Sequence, residues 1–136
     1  MANVLFVCVR NAGRSQIAEA LFRRAAGNAH ATRSAGSAPA HELHPEVVDT
    51  LSEIGVDVGH AVPRHLERAD AEWADVVVTM GCGDACPVVS GVRYLDWELT
   101  DPHGRSTTEV RAIRDEIARR VAELAVELDQ SPARPA

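Results

Sequence analysis

The stretch that most constrains this chain runs from Val4 to Ala26. Val4-Leu5-Phe6-Val7 is a short apolar run of strand formers, Cys8-Val9-Arg10-Asn11-Ala12-Gly13-Arg14-Ser15 follows it directly, and Gln16 to Ala26 has the spacing of an amphipathic helix. A thiol therefore sits where a buried strand hands over to a helix N-terminus. Unpaired backbone N–H groups and the positive end of the helix dipole converge at such a junction, so the backbone of Val9, Arg10, Asn11, Ala12, Gly13, Arg14 and Ser15 can cradle a tetrahedral oxyanion. The same field favours a thiolate at Cys8. Arg14, at the far end of the loop, can close over the anion with a planar, two-pronged contact that Lys could not copy. A Cys followed six places later by Arg arises readily by chance in a chain with 14 arginines, so the context carries the weight. Gly13 permits close backbone approach, and Ser15 supplies a hydroxyl beside the thiol. The bland alternative is a buried, inert Cys and a surface Arg.

Size and composition bound the rest. At 136 residues, 46% of them hydrophobic, the chain is long enough to bury a core without disulfide staples and too short for a second domain. The expected division is one domain over 1–128 and a loose tail over 129–136, where prolines leave little to bury. The net charge is −6 and every basic residue is Arg, which gives no long basic track for nucleic acid. Phosphate-like chemistry would be local. No secretory signal or membrane span is evident, because Val4 to Val9 is far too short to cross a bilayer, and the expected compartment is the cytoplasm. There, three cysteines read as reactive or metal-binding rather than as bridges.

Along the chain, apolar strands alternate with helical patterns, which predicts parallel βαβ units and an α/β fold around a four-stranded parallel sheet. His30 to Ser34 reads as the second strand, closed by Ala35-Gly36-Ser37. Pro45 opens a helix with the stripe Val47, Val48, Leu51 and Ile54, and Gly55 ends it. Arg64 to Ala71 reads as a short polar helix, and Asp75 to Met80 as a buried strand leading into Gly81-Cys82. Cys82 thus lies, like Cys8, past the carboxyl end of a central strand, the edge where open α/β sheets bind ligands. Cys86 follows one helical turn on, with Pro87 limiting any helix there. Val92 to Leu95 reads as the fourth strand, and Trp97 to Gly104 as a loop bringing Asp101-Pro102 to the same edge. Ser106 with Glu109 makes a capping box for the last helix, striped by Val110, Ile113, Ile117, Val121, Leu124 and Leu128.

Plainer roles compete for these residues. Cys82 and Cys86 could be packing cysteines or half of a zinc site, although the other ligands of a closed site are missing. Asp101 could simply start a turn, as Asp-Pro often does. The six histidines have no metal-like or triad spacing, and His103 reads as a solvated loop residue. Trp73 and Trp97 are too isolated for an aromatic track and read as core covers.

Taken together, the Cys8–Ser15 loop, Arg33-Ser34-Ala35-Gly36, the Cys82/Cys86 pair and Asp101-Pro102 resemble the low-molecular-weight tyrosine phosphatase fold, and within it the thioredoxin-coupled arsenate reductases. The resemblance covers the chain to about Leu128. It implies that Cys8 attacks arsenate held by the loop and Arg14, with Ser15 keeping Cys8 ionised and Asp101 protonating the leaving oxygen. It further implies that Cys82 displaces arsenite by attacking Cys8, and that Cys86 then attacks Cys82, leaving an exposed disulfide for a dithiol carrier. Only Gly83-Asp84-Ala85 separates the last two cysteines, fewer residues than in the better-known reductases of this type. That shorter form resembles actinobacterial members and leaves the donor open between thioredoxin with its reductase and NADPH, and mycothiol with a mycoredoxin. Family members that bind potassium match this chain at Asn11, Glu19 and Ser34, whereas His60-Ala61-Val62-Pro63 departs from the pattern.

Three functions compete at this stage: arsenate reductase, phosphomonoester hydrolase of the tyrosine phosphatase type, and redox-sensing oxyanion binder. The loop is common to all three. The resolving cysteines and the scarcity of aromatics favour the first, and the third gives Asp101 no role. A monomer is the expected state, since no large exposed apolar face is evident.

Overall fold

The computed structural model describes residues 1–81 and 86–130. In chain order the elements are β1 (Asn3–Cys8), α1 (Arg14–Ala26), β2 (Ala31–Gly36), α2 (Pro45–Ser52), α3 (Arg68–Trp73), β3 (Val76–Thr79), β4 (Arg93–Asp96) and α4 (Thr107–Gln130). The strands form one four-stranded sheet in the order β2-β1-β3-β4, parallel throughout. The expected α/β class and parallel sheet are therefore present.

Side-chain alternation along the strands divides the core in two. Val4, Phe6 and Cys8 of β1 join Val76, Val78 and Met80 on one face, where Ile17, Leu21 and Phe22 of α1 and Ile117, Val121 and Leu124 of α4 cover them. Leu5 and Val7 point the other way, with Val77, Ala35, Leu66 and Ala74, and with Trp73 and Tyr94 partly covering them. Trp97 packs on the larger cluster, so both tryptophans cover core as expected. Among the described residues, no helix is long and apolar enough to cross a membrane.

Strand order matters more than strand count for placing a site. β1 has β2 on one side and β3 on the other, so the chain reverses its direction of winding between β1 and β3. The carboxyl ends of those two strands border the crevice such a reversal opens. Cys8 ends β1 there, and Met80, just beyond β3, donates its N–H to Val7 O at 2.7 Å.

Several boundaries differ from the sequence reading. The short polar helix begins at Arg68 rather than Arg64, because Arg64 to Glu67 is extended and His65 bridges Gly36. Glu67 then caps the helix in a box with Asp70. Helix α2 ends at Ser52, and Gly55, with φ of 78°, makes the turn that follows. The capping box of α4 forms as read, with Ser106 Oγ accepting the Glu109 N–H at 3.2 Å. That helix continues to Gln130, and Asp129 lies 2.7 Å from His30 Nε2, so the proposed tail boundary falls inside it. Residue 114 interrupts the apolar stripe. Arg114 is buried and donates to Thr50 O at 2.8 Å, tying α4 to α2.

Candidate active site

The loop after β1 is held from outside through its carbonyls. Cys8 O accepts from Ser37 N–H at 3.4 Å, Val9 O from Ala38 at 2.8 Å, Arg10 O from Ala40 at 3.0 Å and Ala12 O from His44 at 3.0 Å, while Gly13 O accepts from Ile17 at 3.0 Å as the first rung of α1. All peptide bonds are trans, so each N–H points opposite to the carbonyl before it. Turning the carbonyls of Cys8, Val9, Arg10 and Ala12 to the flanking chain leaves the amides of Val9, Arg10, Asn11 and Gly13 facing away from it. Asn11 makes the tightest part of the turn at φ 50°, a left-handed conformation that Asn tolerates better than most residues.

Two glycines make room for neighbouring chain. A Cβ at Gly13 would lie 2.9 Å from Pro102 Cγ, so Gly13 lets the Asp101-Pro102 loop rest on the loop after β1. A Cβ at Gly36 would meet Val9 O at 2.6 Å, which accounts for the glycine in Arg33-Ser34-Ala35-Gly36.

Under the loop, a hydrogen-bond chain reaches the sulfur. Arg64 donates its backbone N–H to Asn11 Oδ1 at 2.9 Å, and a backbone N–H can only donate, so the Asn11 amide is oriented by it. Asn11 Nδ2 then donates to Ser15 Oγ at 2.7 Å. Ser15 Oγ lies 2.9 Å from Cys8 Sγ, and with Cys8 as a thiolate, which can only accept, the Ser15 hydroxyl is the donor. Gln16 Nε2 adds a second donor to Asn11 Oδ1 at 3.2 Å. Cys8, Asn11, Ser15 and Gln16 are all buried.

Arg14 is mostly buried and leans toward the loop after β4. Its Nη1 donates to Leu99 O at 3.3 Å, and Nη2 is 3.9 Å from Asp101 Oδ2. Asp101 is half exposed, and its Oδ1 accepts the His103 N–H at 3.0 Å. The turn-forming and the site-facing readings of Asp101 thus hold together, one on each carboxylate oxygen. The structure brings Cys8, Arg14, Ser15 and Asp101 to one edge of the sheet. Cys86 is half-buried, its Sγ 3.8 Å from Pro87 O, among residues of the smaller core. Cys82 lies outside the described residues.

The residues read as a potassium site have protein partners instead. Ser34 Oγ donates to Glu19 Oε1 at 2.7 Å, Glu19 Oε2 takes Arg23 at 2.9 Å, and Ser34 O takes Arg64 Nη1 at 2.8 Å. With Asn11 Oδ1 also filled and two guanidinium groups alongside, this set does not fit an alkali cation.

Sequence reasoning missed two clusters. Asp70 is buried and receives Arg64 Nη2 at 2.9 Å, Arg33 Nη1 at 3.3 Å and the Glu67 N–H at 3.1 Å. Burial works against its ionisation, but these donors outweigh it and hold its carboxyl below the usual range. The capping pattern Glu67/Asp70 was the only local signal. Beside the Asp101 loop, His44 and His103 stack with ring centroids 4.1 Å apart, and His103 Nδ1 is 3.3 Å from Glu46 Oε1. Burial and the charge of His103 keep His44 below its ordinary value, against the pull of Glu46 and Asp101.

The profile of the low molecular weight phosphotyrosine protein phosphatases matches residues 3–134. The chain belongs to that family. Within it, the chain is 39% identical over 124 residues to a putative arsenate reductase of Halobacterium salinarum, covering 88% of this chain and 87% of that one. The thioredoxin-dependent arsenate reductase of Corynebacterium glutamicum superposes with a TM-score of 0.84 at 45% identity over 97% of this chain. This chain spans 63% of the length of that reductase. The YwlE arginine phosphatase of Geobacillus stearothermophilus superposes with a TM-score of 0.79 at 28% identity, covering 95% of this chain and 94% of that one. Proteins similar to this chain thus carry names from both reductase and phosphatase chemistry, and the loop after β1 is compatible with either.

Proposed function

We propose that this chain is an arsenate reductase that moves two electrons from thiols to arsenic through Cys8, Cys82 and Cys86. The observation that carries the reading is the convergence of Cys8, its Ser15 donor and the Arg14–Asp101 pair at one sheet edge, in a chain whose β3 runs on directly to Cys82. The arsenate reductase names of its relatives support it.

In the first step the loop amides and Arg14 hold the arsenate oxygens while the Cys8 thiolate attacks arsenic. A sulfur–arsenic bond forms and one arsenic–oxygen bond breaks, and the departing hydroxyl of the protonated arsenate takes a proton from Asp101 and leaves as water. In the second step the Cys82 thiolate attacks Cys8 sulfur. The sulfur–sulfur bond forms as the sulfur–arsenic bond breaks, its electron pair stays on arsenic, and arsenite departs. Cys86 then attacks Cys82, freeing Cys8 and leaving a Cys82–Cys86 disulfide. Thioredoxin reduces that disulfide by exchange; mycothiol with a mycoredoxin is the alternative donor.

The test is a coupled NADPH assay with arsenate, run with the thioredoxin system and in parallel with mycothiol and mycoredoxin. Cys8→Ser, Cys82→Ser and Cys86→Ser should each abolish multiple turnover. Full turnover by Cys86→Ser with the same carrier would refute the last step. The hydrolase reading, which the match to an arginine phosphatase favours, is separated by an aryl phosphate assay: Cys82→Ser should lose arsenate reduction while keeping any hydrolysis that Cys8 supports.

A further inference from the structure

Outside the proposed electron path, one cluster combines the donor types of a transition-metal site. His44 caps the N-terminus of α2, Glu46 lies in its first turn, and His103 stands on the loop after β4. One ligand atom from each lies within 4.8 Å of the other two. His44 and Glu46 are neighbours at the start of α2, and the fold brings His103 to them from the loop after β4. Two are half-buried and anchored: His44 donates its backbone N–H to Ala12 O at 3.0 Å, and Glu46 Oε1 accepts the Gly104 N–H at 3.1 Å. His103 is exposed, with room to adjust.

We propose that His44, Glu46 and His103 form a binding site for a borderline divalent cation of the Zn²⁺ class, one that staples the Asp101 loop to the start of α2. Two imidazoles and a carboxylate suit Zn²⁺, Ni²⁺ or Cu²⁺ far better than Mg²⁺ or Ca²⁺. In a tetrahedral zinc site with bonds of about 2.0–2.2 Å, ligand atoms stand about 3.3 Å apart. The His103 Nδ1 to Glu46 Oε1 separation is already 3.3 Å, and assembly needs the stacked imidazoles of His44 and His103 to rotate until their in-plane lone pairs meet at one point. On binding, His103 takes the Nε2–H tautomer, so that the Nδ1 lone pair turns to the metal, and solvent completes the coordination. The site takes no part in the electron path. Its effect is positional, because the stapled loop carries Pro102, which rests on Gly13, and the Asp101 carboxylate, which faces Arg14.

The thiols would compete for the same cations, so the test uses the full chain with Cys8→Ser, Cys82→Ser and Cys86→Ser combined, titrated with Zn²⁺ by calorimetry and with Co²⁺ by visible absorption. One equivalent should bind, with the d–d bands of a nitrogen/oxygen site and a rise in melting temperature. His103→Ala, at an exposed position that leaves the fold intact, should weaken binding more than about tenfold, and His44→Ala should do the same. No stoichiometric binding, or binding that survives His103→Ala unchanged, would overturn the proposal. Neither result bears on the electron path, which this protein lacks by substitution.

Discussion

At the scale of single residues, the polarity of the hydrogen bonds under Cys8 decides what that sulfur can do. The Arg64 N–H fixes the Asn11 amide, the amide donates to Ser15 Oγ, and against a Cys8 thiolate the Ser15 hydroxyl donates to sulfur. Asn11→Asp keeps the shape but reverses the chain, since a carboxylate would claim the Ser15 proton for itself. Its charge would also oppose a neighbouring thiolate. A hydrogen bond to a charged group is worth about 1.5–3 kcal/mol, so alkylation of Cys8 by iodoacetamide at pH 7 should slow about tenfold or more in Asn11→Asp. Ser15→Ala should slow it similarly. Circular dichroism should be unchanged in both, and an unaltered alkylation rate would contradict the hydrogen-bond chain.

At the scale of elements, the segment from Arg64 to Asp70 works as a clasp. Its extended half pairs with Gly36 and supplies the N–H to Asn11, and its helical half buries Asp70 under Arg64 and Arg33. Replacing the carboxylate by Asp70→Asn leaves fewer acceptors for those donors and should lower stability at pH 7 by about 1–3 kcal/mol. Because the folded-state carboxyl titrates below its ordinary value, the stabilisation is complete above the unfolded value of about 3.9 and is lost as pH falls through the lower, folded one. Urea denaturation should therefore find a gap between wild type and Asp70→Asn that is widest near neutrality and closes in acid. A gap that grew on acidification would reverse the assignment.

At the scale of the whole molecule, the α1–α4 layer carries the sheet that carries the loop. Ile117 is fully buried between α4 and the sheet side of the core, whereas Val126 on the same helix is 56% exposed. Ile117→Ala should lower stability by about 2–5 kcal/mol, and Val126→Ala should change it by less than about 0.5 kcal/mol. Thermal and urea unfolding measure both. Equal effects would mean that α4 is not docked as described.

Local rules determined much of this protein. The continuous apolar run of β1, helical spacing in α1 and α4, the Ser106 capping box and Pro45 at a helix start are all set by neighbours within a few residues, and each was legible in the chain. So was the Cys8 to Ser15 loop, because strand, turn and helix N-terminus are contiguous. Asp101 could be placed at the right edge only through the strand pattern and a family resemblance, and its approach to Arg14 needed the sheet order. The chain alone gave no sign that His103 meets the His44/Glu46 pair, that Arg114 would be buried on Thr50 O, or that Arg64 would orient Asn11. Those partners are tens of residues apart, and nothing in local periodicity encodes a contact made only when β1 stands between β2 and β3. Sequence sets what each segment prefers by itself, and tertiary structure decides which polar groups, once stripped of water, must find one another.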